Sequence, residues 1–121
     1  MTDQLTALAA FLSQTGLPAY LTGQVPDGAT FPYLVFRVTD APFGQPTALE
    51  VTGWYRGESA NRHAVAFLDR MASLVSESGT LLTLPHGKAL LHRSAEFRTL
   101  VTDADAIGGH ALLEARWYVA E

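Results

Sequence analysis

The chain has no cysteine, which excludes disulfides and thiolate metal sites. Charge is scarce as well: Asp, Glu, Lys and Arg make up 17% of the residues, against a usual share of about 25%. A surface so thinly charged belongs more often to a subunit of an assembly than to a free monomer. Eight Lys and Arg stand against twelve Asp and Glu, for a net charge of −4. The cations are scattered, with Arg93 and Arg98 near one another, and make no basic stripe of the kind a general nucleic-acid binder carries. No apolar run approaches the ~18 residues of a membrane span, and the start, MTDQLTALAAFL, has no basic segment. Neither a signal peptide nor a membrane span is expected, and the cytoplasm is the expected compartment.

What is present is apolar residue, 48% of 121. That suffices for one domain, 1–121, with a real core. The stretch Pro26–Thr39, PDGATFPYLVFRVT, shows where the core lies. Pro32 has a fixed φ and no N–H, so it opens a strand and does not sit inside a ladder. Tyr33, Leu34, Val35, Phe36 and Val38 then read as a strand with both faces largely covered.

Upstream, residues 3–14 read as an amphipathic helix, with Leu5, Leu8, Ala9 and Leu12 on one stripe widened by Phe11. Thr2 suits its cap, Asp3 its first turn and Gly16 its end. A short strand is expected at Ala19–Thr22, then a loop, Gly23–Thr30, with a turn at Asp27-Gly28. Downstream, Asp40–Thr47, with Pro42, Gly44 and Pro46, reads as a long exposed loop. In the strand Ala48–Tyr55, Leu49, Val51, Gly53 and Tyr55 share one face and Glu50, Thr52 and Trp54 the other.

The main helix is predicted over Ser59–Ser78, with Ala64, Phe67, Leu68, Met71, Leu74 and Val75 as its stripe, Ser59 as N-cap and Gly79 as the residue after its end. Short strands at Thr80–Leu84 and Ala89–His92 are split by Pro85-His86-Gly87. A longer pair, Glu96–Thr102 and Ala111–Val119, is joined by Asp103–His110. The order α, β, β, β, α and then a run of β predicts an α+β fold, a mainly antiparallel sheet with two helices packed on one face.

Chemical groups are sparse. His63, His86, His92 and His110 fall on a helix, a turn, a strand and a loop, with no i, i+4 pair, so no metal site is expected. Asp103 and Asp105 in TDADAIGG lack the further acidic ligands of a calcium loop and read as a hairpin tip. Gly108-Gly109 does not have phosphate-loop spacing. Arg56-Gly57-Glu58 reads as a strand-to-helix turn, with an anion at that helix N-terminus as the alternative. In the aromatic pairs Trp54-Tyr55 and Trp117-Tyr118, one ring packs in the core and one covers a sheet face; alternatively, the outward ring anchors a neighbouring subunit. No nucleophile, base and orienting group come together, so neither catalysis nor a cofactor is expected. A small-molecule-binding α+β domain would rest on the aromatics and histidines alone.

The chain runs from an amphipathic helix and a Pro-Gly loop into FPYLVFRV, then ALEVTGWYRG, then the helix SANRHAVAFLDRMASLV, and closes on LLEARWYVAE. This order resembles the small tail-terminator, or tail-completion, proteins of long-tailed bacteriophages. There an FPY-led strand precedes a strand with an aromatic end, and a helix packs across the sheet. The resemblance spans nearly the whole chain. It implies a virion structural protein forming a ring, commonly a hexamer, at the head-proximal end of the tail tube. Its implied partners are further copies, the tail tube protein and a head connector or neck protein. DNA would pass through the lumen without specific binding, repelled by carboxylates, and no membrane is involved. Assembly would take place in the host cytoplasm. A head-closure or neck protein and a component of a tail-derived injection machine are the sister readings. Interface candidates are Gln24 and Asp27 in the first loop, Phe31 and Tyr33 at the strand entry, and Phe43 and Gln45 in the second loop. Trp54 and Arg56 at the end of the third strand, with Asp103 and Asp105 at the hairpin tip, complete the set.

Overall fold

In a computed structural model, which describes residues 2–39, 46–84 and 87–119 without the side chains of Thr2, Asp3 and Val119, the first helix, α1, spans Thr2–Leu12. It buries Leu8, Phe11 and Leu12, as the stripe predicts. A 3₁₀ turn at Ser13–Thr15 follows and ends at Gly16, whose φ of +84° suits a residue without Cβ. Thr2, expected as the cap, is already helical, and neither its side chain nor that of Asp3, expected in the first turn, is described. Most of the Asp40–Thr47 loop, including Phe43 and Gln45, and the pair Pro85-His86 lie outside the described residues.

Among the described residues six strands follow: β1 Ala19–Leu21, β2 Tyr33–Thr39, β3 Thr47–Arg56, β4 Thr80–Leu84, β5 Gly87–Asp103 and β6 Ala106–Val119, with helix α2, Ala60–Leu74, between β3 and β4. They form one sheet in the order β1-β2-β3-β6-β5-β4. Among the described residues β1 and β2 run parallel and the other neighbouring strands antiparallel. The fold is α+β. Both helices pack on one face, where Leu34, Phe36, Leu49, Val51, Leu91, Leu113 and Ala115 meet Leu8, Leu12, Phe67, Leu68 and Met71. Each fully buried leucine contributes about 1.5–3 kcal/mol by leaving water. Helix α2 lies on β3 and β6, while α1 reaches both end strands of the sheet, β1 and β4.

Four sequence expectations need correction. The strand after Pro32 does not have two covered faces: Leu34 and Phe36 are buried, with Val38 packed partly buried beside them, while on the other face Tyr33 and Val35 are half-buried and Arg37 is exposed. The helices cover only one side, so large apolar residues on the other side remain partly wet.

The main helix ends at Leu74, four residues before Ser78. Val75 leaves it in extended conformation. The carbonyls freed by this early end have partners: the Arg93 guanidinium donates to Ala72 at 2.6 Å and to Val75 at 2.7 Å, and the Thr80 hydroxyl donates to Leu74 at 2.9 Å. Gly79, at φ +100°, instead closes a turn back to Ser76. At the other end Ser59 makes no side-chain cap; its carbonyl accepts from His63 at 3.0 Å.

The strands expected at Ala89–His92 and Glu96–Thr102 are one strand, β5, interrupted by a bulge. Arg93 pairs with Leu113 and Arg98 with Ala111, so Ser94 to Phe97 span what Leu112 alone spans on β6. The bulge breaks the alternation that would have marked one strand, and it turns Phe97 onto the core.

The connection read as Asp103–His110 is only the turn Ala104-Asp105, with Ala104 at φ +52°. Gly108 and Gly109 are strand residues because both faces of β6 are crowded there. A Cβ on Gly109 would meet the Ala64 carbonyl at 2.6 Å, and one on Gly108 would meet the Trp54 ring at 3.0 Å. Glycine in a strand here marks close approach, not a loop.

Candidate functional site

The residue order around Pro32 and at the end of β3 builds the most structured surface. The Phe31–Pro32 peptide is cis, and Tyr33 enters the ladder directly opposite Trp54. Trp54 in turn faces Gly108, and Arg56 faces Ala106 next to the hairpin turn. One end of the sheet therefore gathers the entry of β2, the exit of β3 and the β5–β6 tip.

Aromatic rings dominate this rim. Phe31 lies 5.1 Å from Tyr33, centre to centre, and Tyr33 meets Tyr20 edge-on at 5.9 Å. The Arg56 guanidinium sits 4.3 Å over the Phe31 ring. Its Nε is 3.2 Å from the Asp105 carboxylate, which ties the hairpin tip to β3. Both side chains are exposed, so the ion pair stabilises by at most about 1 kcal/mol. Its effect is to hold the tip in place.

Behind the rim, a cleft of about 360 Å³ is lined by Phe31, Pro32, Tyr55, Arg56 and His63. Tyr55 stacks on His63, 5.8 Å apart and 23° between planes, and packs on Phe67 from the other side. Burial pushes the Tyr55 hydroxyl above its ordinary pKa of 10.0, with Arg70 pulling the other way. The ring stays neutral and serves as a wall.

The sheet face away from the helices holds a second cluster. Arg37, Glu50, Thr52 and His110 ring a shallow hollow of about 220 Å³ with Val35 and Trp54. His110 Nδ1 is 2.9 Å from the Thr52 hydroxyl, and its Nε2 is 3.6 Å from Glu50. Arg37 approaches Glu50 from the opposite side at 3.9 Å. The carboxylate thus has a cationic neighbour on one flank and an imidazole on the other.

Of the ten interface candidates, the fold gathers Phe31, Tyr33, Trp54, Arg56 and Asp105, with Asp103 at the same tip. Gln24 stands apart, in a groove of about 310 Å³ between α1 and the β1–β2 edge, with Leu5, Ala9 and Phe36. Asp27 occupies an exposed turn. Phe43 and Gln45 lie outside the described residues. Sequence reading missed Tyr20, His63 and the Arg37–Glu50–His110 group. The odd-numbered alternation of β2 would have pointed to Arg37. His110 was hidden because the double glycine before it read as a loop.

Among the described residues, no three or more His, Asp or Glu side chains are placed to hold a metal ion, and no helix is long and apolar enough to cross a membrane. No protein-family model matches the chain, and neither does any curated protein.

Proposed function

We propose that this chain is a virion structural subunit of the tail-terminator kind, which joins further copies in a ring at the head-proximal end of a tail tube and meets the head connector on its other side. The observation that carries the reading is the second face of the sheet. Among the described residues no helix covers it, yet it presents Tyr33, Val35 and Trp54 half-buried and ends in the Phe31–Arg56–Asp105 rim. Aromatic and arginine side chains in this setting are the residue types that dominate protein–protein contacts. A ring contact joins two unlike patches. The rim offers one, and the groove beside α1 that holds Gln24 offers another. The work is recognition by shape and charge, and the net charge of −4 suits a channel through which DNA slides without adhering.

The test is capping. Tail tubes assembled without their terminator are mixed with the purified chain and viewed by negative-stain electron microscopy. The expected result is a density at one end of each tube and an end to elongation. A chain that never joins tube ends, at any concentration, would overturn the reading.

A further inference from the structure

Among the described residues, the last part of β5, Arg98–Asp103, has one neighbouring strand. Strand β4 pairs with Gly87–Leu91, and β6 pairs with β5 on the other side as far as Asp103. Among the described residues, no strand lies against the outer edge of Arg98–Asp103. The backbone N–H and C=O groups that point outward there have no ladder partner. Proteins usually protect such an edge with charge, proline or a bulge. Here the bulge lies before Arg98, and Thr99, Leu100, Val101 and Thr102 carry neither charge nor proline.

The same place exposes apolar side chains. Leu100 pairs with Gly109, so it lies on the helix-bearing face, and it is 45% exposed. Val65, 40% exposed, stands one turn before Asp69 on α2, and Asp69 accepts from Arg98 at 2.9 Å. Both exposed apolar residues therefore border the open edge from the same side.

We infer that the β5 edge is a self-association site, at which two copies pair antiparallel across a two-fold axis through Leu100 to continue the sheet. The occupant is a second copy because the segment is complementary to itself. With the axis normal to the sheet, Leu100 faces Leu100, Thr99 faces Val101 and Arg98 faces Thr102. Each pair keeps to one face of the joined sheet. No two like charges are opposed, since Arg98 is already matched by Asp69. Leu100 and Val65 of each copy then cover those of the other, and the outward backbone groups gain partners. A closed two-fold pair uses the same patch twice, whereas a ring uses unlike patches, so this contact does not rest on the ring reading.

Analytical ultracentrifugation of the full chain tests it. The expected species is a reversible dimer of the 13.0 kDa chain. Leu100→Lys sets two ammonium groups against each other and weakens that dimer by about tenfold or more. Leu81→Lys on β4, at a position equally open to solvent, leaves it unchanged. Circular dichroism of both variants confirms that they fold. In a chain without cysteine, Leu100→Cys also gives a disulfide-linked dimer under mild oxidation, because residues opposite each other in an antiparallel pair have Cα atoms about 4.5–5.5 Å apart, within the span of a disulfide; Leu81→Cys does not. A strict monomer up to millimolar concentration, or an assembly indifferent to Leu100→Lys, overturns the proposal. A ring that survives Leu100→Lys but is lost with Trp54→Ala leaves the ring reading standing and removes this one. A dimer abolished by Leu100→Lys in a chain that never caps tubes does the reverse.

Discussion

Gly109 lies directly beneath Ala64: a Cβ at position 109 would stand 2.6 Å from the Ala64 carbonyl oxygen. The obstacle is backbone, so no side-chain rotation relieves it. Gly109→Ala therefore lifts α2 from the sheet and costs about 1–3 kcal/mol. Gly28→Ala is the control, since nothing lies within 4 Å and its φ is ordinary. It should be neutral, or stabilising by up to about 1 kcal/mol through the unfolded chain. Urea unfolding of the two variants checks the contrast.

Phe67 is 3% exposed and sits over Gly53. Phe67→Ala should cost about 3–5 kcal/mol, because the cavity lies between helix and sheet and neither can collapse into it. Phe36→Asp buries a charge without a partner and should abolish folding. The first effect appears as a shifted denaturation midpoint, the second as loss of soluble protein.

Arg93 ends α2 by donating to the carbonyls of Ala72 and Val75. Arg93→Ala leaves both without this donor and should cost about 2 kcal/mol. Arg93→Lys keeps the charge but cannot span both oxygens as a fork, so it restores only part of the loss. Hydrogen exchange should show the effect confined to the last turn of α2 and the Ser76–Gly79 turn.

Tyr55 links stability to alkaline pH. Its folded-state pKa is raised by burial, so the native state holds the proton more tightly than the unfolded chain. The stabilisation is complete below the unfolded value of about 10 and is lost as pH rises through the folded value. Stability should fall above about pH 10, and Tyr55→Phe should flatten that part of the decline. Denaturant titrations at a series of alkaline pH values test the sign.

Arg56 bears on the rim alone. Arg56→Ala removes the ion pair to Asp105 and the cation over Phe31, but Arg56 and Asp105 are both open to solvent and the ladder still pairs position 56 with Ala106. Stability should change by no more than about 1 kcal/mol, while, on the proposed terminator function, capping of tail tubes should drop. Equal loss of folding and capping would show that the rim is part of the core.

The sequence was most informative where one face of an element is buried and the other is not. Leu49, Val51 and Gly53 against Glu50, Thr52 and Trp54 read correctly as the two sides of β3, and the stripe from Ala64 to Met71 marked the buried side of α2. It was silent where a tertiary partner decides. The end of α2 depends on a guanidinium from β5. The continuity of β5 depends on a bulge that breaks the period-two pattern. Gly108 and Gly109 carry the composition of a turn but answer to Ala64 above and Trp54 below. The rim was legible as a set of aromatic and charged residues at element ends. That Arg56 meets both Phe31 and Asp105 depends on strand register, which no local pattern encodes.

The position of α1 between β1 and β4 sets an order of events. The helix precedes every strand of the sheet in the chain, so it leaves the ribosome before them and its turns can form at once. Leu8 and Leu12, both fully buried in the finished protein, must wait longer. Strand β4 is held by β5, and β5 by β6, so one side of the slot that receives α1 exists only when β6 has been made. Until then its apolar stripe stays open to solvent, and chains that stop short of β6 are at their stickiest along this helix.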